Sequence, residues 1–263
     1  MSFIALKKNS SYHSRFQVKW RRRREGKTDY HSRKGLLYQD KRKYNSPKFR
    51  IVVRKTKKNF LVQFIQSKLE GDFILKSISP RLLKTYNIDY SLTSFPAAYT
   101  SGLLLAKIMM KEKICADKAI KSIIKNKTKN FNNMHCATIN RITTLQSNGK
   151  SPPKAILDIG LSNVTTGNKL FATMKGAIDG GLAIPYNEKR FPGYNATDGF
   201  SPELLKERIV GDHITTYMNL LKDEDEERFY RQFSKTIKKK RADESYSDPF
   251  LNANKIFAGD KFQ

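Results

Sequence analysis

The chain has 263 residues, with 51 Lys/Arg against 24 acidic residues, a formal net charge of +27 at pH 7 and a pI near 10.0. Self-repulsion of this size destabilises a compact state unless a counter-charge is present, so a polyanion is the expected partner. No run approaches the roughly 18 apolar residues of a membrane span, Lys7 and Lys8 break the apolar start at once, and the only cysteines are Cys115 and Cys136, which argues against a transmembrane protein, a secretory leader and a disulfide-stapled fold.

The first sixty residues hold 20 Lys/Arg and only Glu25, Asp29 and Asp40 on the acidic side, a net of +17. Arg21 to Arg24 are consecutive and follow the aromatic series Tyr12, Phe16, Trp20. Burying such a run would leave guanidinium groups without carboxylates, which is costly, so the cluster must face water or a polyanion. Arginine matches phosphate oxygens with a planar fork of donors and stacks on bases. The i, i+4, i+8 aromatic spacing predicts one side of a helix, with the basic residues on the others. The plainer reading is a solvated basic face over an aromatic stripe packed on the core. An anionic membrane is the weaker polyanion, because stable anchoring needs an inserted apolar face or a lipid chain.

Next come three short apolar segments, 49–54, 60–67 and 73–79, divided by turn-like spacers. They predict an antiparallel meander closed by Pro80. Ser94 and Pro96 form a helix start, and Ala97 to Lys113 carries a buried face. Residues 117–150, with Lys121, Lys125, Lys127 and Lys129 among Asn, Thr and Ser, suggest a basic helix or an exposed insertion. Ala155 to Gly160 is a buried strand entering a glycine turn. Asn168 to Gly181 predicts a helix whose Asp179-Gly180-Gly181 end reads as a cap rather than an RNA contact. Glu188 to Tyr194 is a basic loop stiffened by Pro192 and Gly193. Ser201-Pro202-Glu203 opens another helix that Gly211 splits. The acidic block Asp223 to Glu227 precedes the basic run Lys238 to Arg241, readable as an import signal or a basic helix face. The last twenty residues are expected to be loosely ordered. The whole predicts a mixed α/β fold: an antiparallel meander packed by helices, with a basic N-terminal arm and a helical C-terminal extension. The division expected is an RNA-binding arm over 1–48, a core over 49–195 with 117–150 as a divergent insertion, and an extension over 196–263.

Little in the sequence points to catalysis. His13, His31, His135 and His213 are scattered, with no nucleophile–base arrangement. His135 and Cys136 lack the second pair that a tetrahedral metal site needs, so neither metal nor cofactor is expected.

Long strings in the chain resemble a known family. They include Gln17 to Tyr30, Gln39-Asp40-Lys41, Lys43 to Arg50, Glu70-Gly71-Asp72, Ala97-Ala98-Tyr99, Gly102 to Ala106, Thr165 to Lys169, Lys175 to Leu182 and Lys189 to Tyr194. In this order they resemble the large-subunit ribosomal protein family that binds 5S ribosomal RNA, in its eukaryotic form, numbered five in the eukaryotic scheme and eighteen in the universal one. The resemblance implies a structural role without catalysis. Such a protein holds 5S rRNA, accompanies it through nucleus and nucleolus, and anchors it at the central protuberance. Its partners are large-subunit rRNA, ribosomal proteins (notably universal number five) and assembly factors. By matching position the resemblance implies RNA contact at Arg21, Arg22, Arg23, Arg24, Lys27, Tyr30, Arg33 and Lys34 of the arm. Lys48, Arg50 and Arg54 extend it at the sheet, with Tyr44 available to stack. Thr165, Asn168, Lys169, Lys175, Lys189, Arg190 and Tyr194 form a second patch. The sequence departs from the family pattern over about 117–150, and its C-terminus is shorter than in typical eukaryotic members.

Two other functions fit parts of the sequence. One is an RNA-binding assembly factor outside the ribosome. The other is an actin-like-fold phosphotransferase, because Leu157 to Asn163 resembles the phosphate-1 loop of actin-like sugar kinases. That reading needs two similar domains and a second phosphate loop, which the chain does not offer. Gly167-Asn168-Lys169 lacks the P-loop spacing.

Overall fold

In the computed structural model, residues 8–39, 42, 47–88, 91–111, 153–238 and 246–258 are described. Tyr44, Cys115, His135, Cys136, the 117–150 segment and the run Lys239 to Arg241 lie outside them.

The arm forms three short helices, α1 (Ser10–Arg15), α2 (Arg21–Arg24) and α3 (Tyr30–Leu37). The helical aromatic stripe expected from the sequence is not formed. Helix α1 stops at Phe16, whose backbone is extended, and Trp20 is the N-cap of α2 with ψ 146°. With no core beneath them among the described residues, the rings pair locally: Tyr12 stacks on Phe16 at 5.8 Å, and Trp20 meets Tyr30 at 5.1 Å. Trp20 remains 73% exposed, so the aromatic series is not a core-packed stripe either. Helix α3 starts where Asp29 accepts hydrogen bonds from the backbone N–H of His31 and Ser32.

Strands β1 (Lys48–Lys55), β2 (Phe60–Ser67) and β3 (Asp72–Ile78) form the expected antiparallel meander. Helix α4 (Phe95–Lys111) follows, and then β4 (Ala155–Asp158) joins β1 in parallel, giving the order β3-β2-β1-β4. Alternation along β1 places Ile51 and Val53 on one face, opposite Phe64 and Val62 of β2, all fully buried. Arg50, Val52 and Arg54 take the other face. Helices α4 and α5 (Lys169–Asp179) cover the apolar face, with Asn168 accepting from Leu170 N–H as the cap of α5.

Close approach of α4 and α5 depends on missing side chains. A Cβ at Gly102 would sit 2.1 Å from the carbonyl oxygen of Thr173, and one at Gly176 would sit 2.1 Å from that of Tyr99. A Cβ at Gly180 would meet the Ala106 methyl at 2.4 Å. The Asp179-Gly180-Gly181 end is therefore structural. Asp179 accepts from the buried Tyr99 hydroxyl at 2.9 Å and pairs with Lys175 at 2.6 Å.

Beyond a short two-stranded ribbon, β5 (Tyr194–Asn195) with β6 (Gly199–Phe200), the described residues are mostly helical. Helices α6 (Pro202–Val210) and α7 (Asp212–Glu224) are split as expected at Gly211, whose φ is +100°. Helix α8 (Glu226–Lys238) packs on α7, and α9 (Asp248–Ala258) packs on α4 and α6. Helix α9 corrects the expectation of a loose C-terminus over 246–258. Phe250 and Phe257 are fully buried, Tyr86 meets Phe257 edge-on at 4.6 Å, and Thr100 donates to Asn254 at 3.0 Å.

Gly176→Ala should therefore lower stability by about 1–3 kcal/mol, the usual cost of overpacking. A denaturant midpoint no different from that of the parent chain would contradict the close crossing.

Candidate nucleic-acid interface

On the sheet face away from α4 and α5, the second residue of β1's basic alternation is turned inward. Arg50 is 1% exposed, and its guanidinium bridges Asp72 of β3 at 2.7 Å and Asp158 of β4 at 3.4 Å. Asp72 also pairs with Arg33 of α3 at 2.8 Å, and Asp158 with Arg54 at 2.9 Å. A continuous relay of alternating charge, Arg33–Asp72–Arg50–Asp158–Arg54, thus runs from the arm across the sheet. Gln39, donating to the Ser67 carbonyl at 2.8 Å, and Lys48, donating to the carbonyls of Gly35 and Tyr38, add to the seam. A lysine on the last carbonyls also complements the helix dipole.

The carboxylates respond to this setting. Burial would raise the Asp72 carboxyl, but the hydrogen bond from Arg33 and the charge of Arg50 outweigh it and hold it below its ordinary value. Asp29 is also lowered, chiefly by the hydrogen bond from the Ser32 hydroxyl.

The docked arm encloses a cleft of about 960 Å³ against the loop after β4. Arg22, Lys27, Tyr30, Arg33 and Arg54 line it, with Gly160 to Ser162 and Val164 on the far wall. Its two carboxylates are both occupied: Asp29 caps α3, and Asp158 holds Arg50, Arg54 and the N–H of Gly160 at 3.0 Å. Arg21, Arg23, Arg24 and Lys34 stand exposed on α2 and α3 beside the cleft. Some arm cations have internal partners: Arg21 and Lys27 reach Glu25 at 3.7 and 2.9 Å, and Arg22 donates to Thr28 at 2.9 Å. These are exposed contacts of small worth, easily exchanged for phosphate.

The second patch is continuous with the cleft. Thr166 donates to the Lys189 carbonyl at 3.1 Å, Gly167 N–H to that of Arg190 at 3.0 Å, and the Arg190 guanidinium to that of Val164 at 3.4 Å. These bonds clamp the 163–168 loop to the Glu188–Arg190 turn and bring Thr165, Asn168, Lys169, Lys189 and Arg190 together, with Tyr194 half-buried on β5. Lys175 stands apart. Its side chain is 12% exposed and paired with Asp179, which leaves it little surface to offer a ligand. Arg50 likewise has almost none.

Asp72 and Asp158 are the positioning residues that the sequence did not single out for this role. Asp72 looked like part of a turn, and Asp158 like the start of a phosphate loop. The Asp-x-Gly turn has a structural explanation: Gly160 takes φ +63°, and a Cβ there would press on the Arg54 guanidinium at 3.0 Å. The one signal available was an acidic residue ending an apolar strand in a chain rich in arginine.

Comparison with known proteins shows the family. The sequence model of the family described as ribosomal large subunit proteins 60S L5, and 50S L18 matches residues 14–187. The large ribosomal subunit protein uL18 of Chaetomium thermophilum is 40% identical over 264 residues, covering 100% of this chain and 84% of the relative. The uL18 of Eimeria tenella is 44% identical, with 91% of this chain and 75% of the relative covered. That of Caenorhabditis elegans is 43% identical, with 90% and 77% covered. The chain belongs to this family. It is therefore a structural protein of the large ribosomal subunit rather than an enzyme, located on the ribosome among ribosomal RNA and other ribosomal proteins. The family match takes in the arm from Ser14 onward, the relay and the loop after β4, whereas Lys189, Arg190 and Tyr194 lie just past it. No helix among the described residues is long and apolar enough to cross a membrane.

Two outcomes follow from the relay. Asp158→Ala should destabilise the fold by about 1–3 kcal/mol, because it removes the acceptor of Arg54 and of the Gly160 N–H and leaves the buried Arg50 to Asp72 alone; an unchanged denaturant midpoint would contradict the buried pairing. The second concerns acid. Asp72 and Asp29 both have folded values below the ordinary 3.8, so their contribution is full above that value and is lost as pH falls through the depressed ones. Hydrogen-exchange protection of the α3 amides, corrected for intrinsic rates, should hold at pH 5 and fall below pH 3.8. Protection unchanged down to pH 2 would show that the carboxylates do not hold α3.

Proposed function

We propose that this chain binds 5S ribosomal RNA through the arm and the cleft it encloses, and helps to deliver and anchor that RNA at the central protuberance during subunit assembly. The observation that carries this is the cleft itself. Its cations face outward, both its carboxylates are engaged, and its far wall continues into a second basic patch. Phosphate neutralisation supplies affinity, and exposed rings such as Trp20 supply platforms on which looped bases can stack. A-form helices offer few readable base edges to side chains, so shape and unpaired nucleotides confer the selectivity.

The contact set is Arg21, Arg22, Arg23, Arg24, Lys27, Tyr30, Arg33, Lys34, Lys48 and Arg54, followed by Thr165, Asn168, Lys169, Lys189, Arg190 and Tyr194. Arg50 and Lys175 leave the set expected from the sequence, because their side chains are buried in ion pairs, and Tyr44, expected to stack, lies outside the described residues. In this view residues 1–48 are the RNA-binding arm, 49–195 the platform that orients it, and 196–263 a helical extension. Other partners are large-subunit rRNA, the ribosomal protein of universal number five, and the assembly factors met on passage through the nucleus.

The chain should bind 5S rRNA well above transfer RNA, with affinity falling by about 0.7–0.9 log units per phosphate contact for each tenfold rise in salt. Replacing Arg21 to Arg24 by alanine should lower both the affinity and that slope in a filter-binding titration. An unchanged slope would remove the arginine run from the interface.

A further inference from the structure

Farther along the loop after β4 lies a second pocket of about 540 Å³, within the roughly 300–1,000 Å³ of small-molecule sites. Lys169 and Arg208 line it, His213 stands on one wall, and Phe95, Pro192 and Ile214 supply apolar surface. No acidic residue is among its lining. Neither Lys169 nor Arg208 has an ion pair among the described residues, so both are available to an outside anion. Burial, and then the charge of Lys55, hold Lys169 below its ordinary value. The His213 ring is held down by burial first and by Arg208 next, against a smaller opposing pull from Glu207 and Asp212. A largely neutral imidazole presents a flat face rather than a further repelling charge.

The location matters as much as the lining. Val164 walls the arm cleft, Thr166 walls this pocket, and both are bonded to the Lys189–Arg190 turn between them. A strand leaving the cleft would cross Thr165 and those two cations before reaching the pocket. Apolar walls beside two cations match one nucleotide unit, base and phosphate, better than either alone. We infer that this pocket receives one unpaired, extruded nucleotide of the bound 5S rRNA, its base against Pro192 and Ile214 and its phosphate between Lys169 and Arg208. The inference rests on the 5S rRNA binding proposed above and adds a specific receptor to it.

The test compares the intact chain with Arg208→Glu and Lys169→Ala, using 5S rRNA affinity and nucleotide-resolved 2′-hydroxyl acylation of the complex. The expected result is about tenfold weaker binding, the scale of one lost stacked nucleotide, with reactivity restored at one or two nucleotides and the remaining footprint kept. An unchanged footprint in both variants, with parent binding intact, would overturn the pocket alone. A uniform loss of protection would also overturn it, making Arg208 an unspecific phosphate contact. Micromolar binding of AMP to the RNA-free chain would overturn it in favour of a free-nucleotide site. Failure of the parent chain to bind 5S rRNA would overturn the proposed function and this inference together.

Discussion

The arm's position depends on one buried cation. Arg50 is buried on β1 with its guanidinium between Asp72 and Asp158, and those two carboxylates reach the outer cations Arg33 and Arg54. A buried pair costs desolvation and is weak grounds for stability, but breaking it leaves an uncompensated charge. The arrangement is also not saturated, since the Arg50 Nε finds no acceptor among the described residues. What it contributes is registry. A chain segment with net charge +17 and few apolar anchors has little reason to adopt one orientation. The relay gives α3 a fixed partner on the sheet, and so fixes which cations look outward.

The same view sorts the chain's many cations by role. Arg50 and Lys175 are turned inward to carboxylates, whereas Arg23, Lys34 and Lys189 stand at the surface. Arg33 and Arg54 do both, holding a carboxylate while lining the cleft. The basic composition therefore serves two ends, internal order and external charge. Ordinary self-repulsion is tolerable because the surface charge meets a polyanion on the ribosome.

Much of the fold could be read from local pattern. Alternating apolar residues marked β1 to β3, Asn168 marked the start of α5, and Gly211 marked the break between α6 and α7, because each is a short-range physical requirement. The failures were long-range or depended on an absent core. The spacing of Tyr12, Phe16 and Trp20 fits a helix, but among the described residues no core lies beneath them to reward one, and the chain extends after α1. Helix α9 was missed because the partners of Phe250 and Phe257 are α4, α6 and Tyr86, more than a hundred residues earlier for Tyr86 and α4. Within the interface, residue type alone could not separate Arg50 from Arg54. Both point to the same face of β1, and the difference is that Arg50 sits between Asp72 and Asp158, whereas Arg54, near the strand's end, meets Asp158 alone and stays partly exposed. Asp72 and Asp158 are ordinary acidic residues in sequence and acquire their roles only when β3, β2, β1 and β4 assemble into one sheet.

The most direct measurement is the affinity of Asp72→Asn for 5S rRNA at neutral pH. The substitution removes one negative charge from a protein that binds a polyanion, so simple electrostatics predicts tighter binding. If the relay orients the arm, binding should instead weaken, with a smaller salt slope, because Arg33 and its neighbours lose their fixed positions. Equal or tighter binding with the slope retained would contradict the dependence of the interface on the buried bridge.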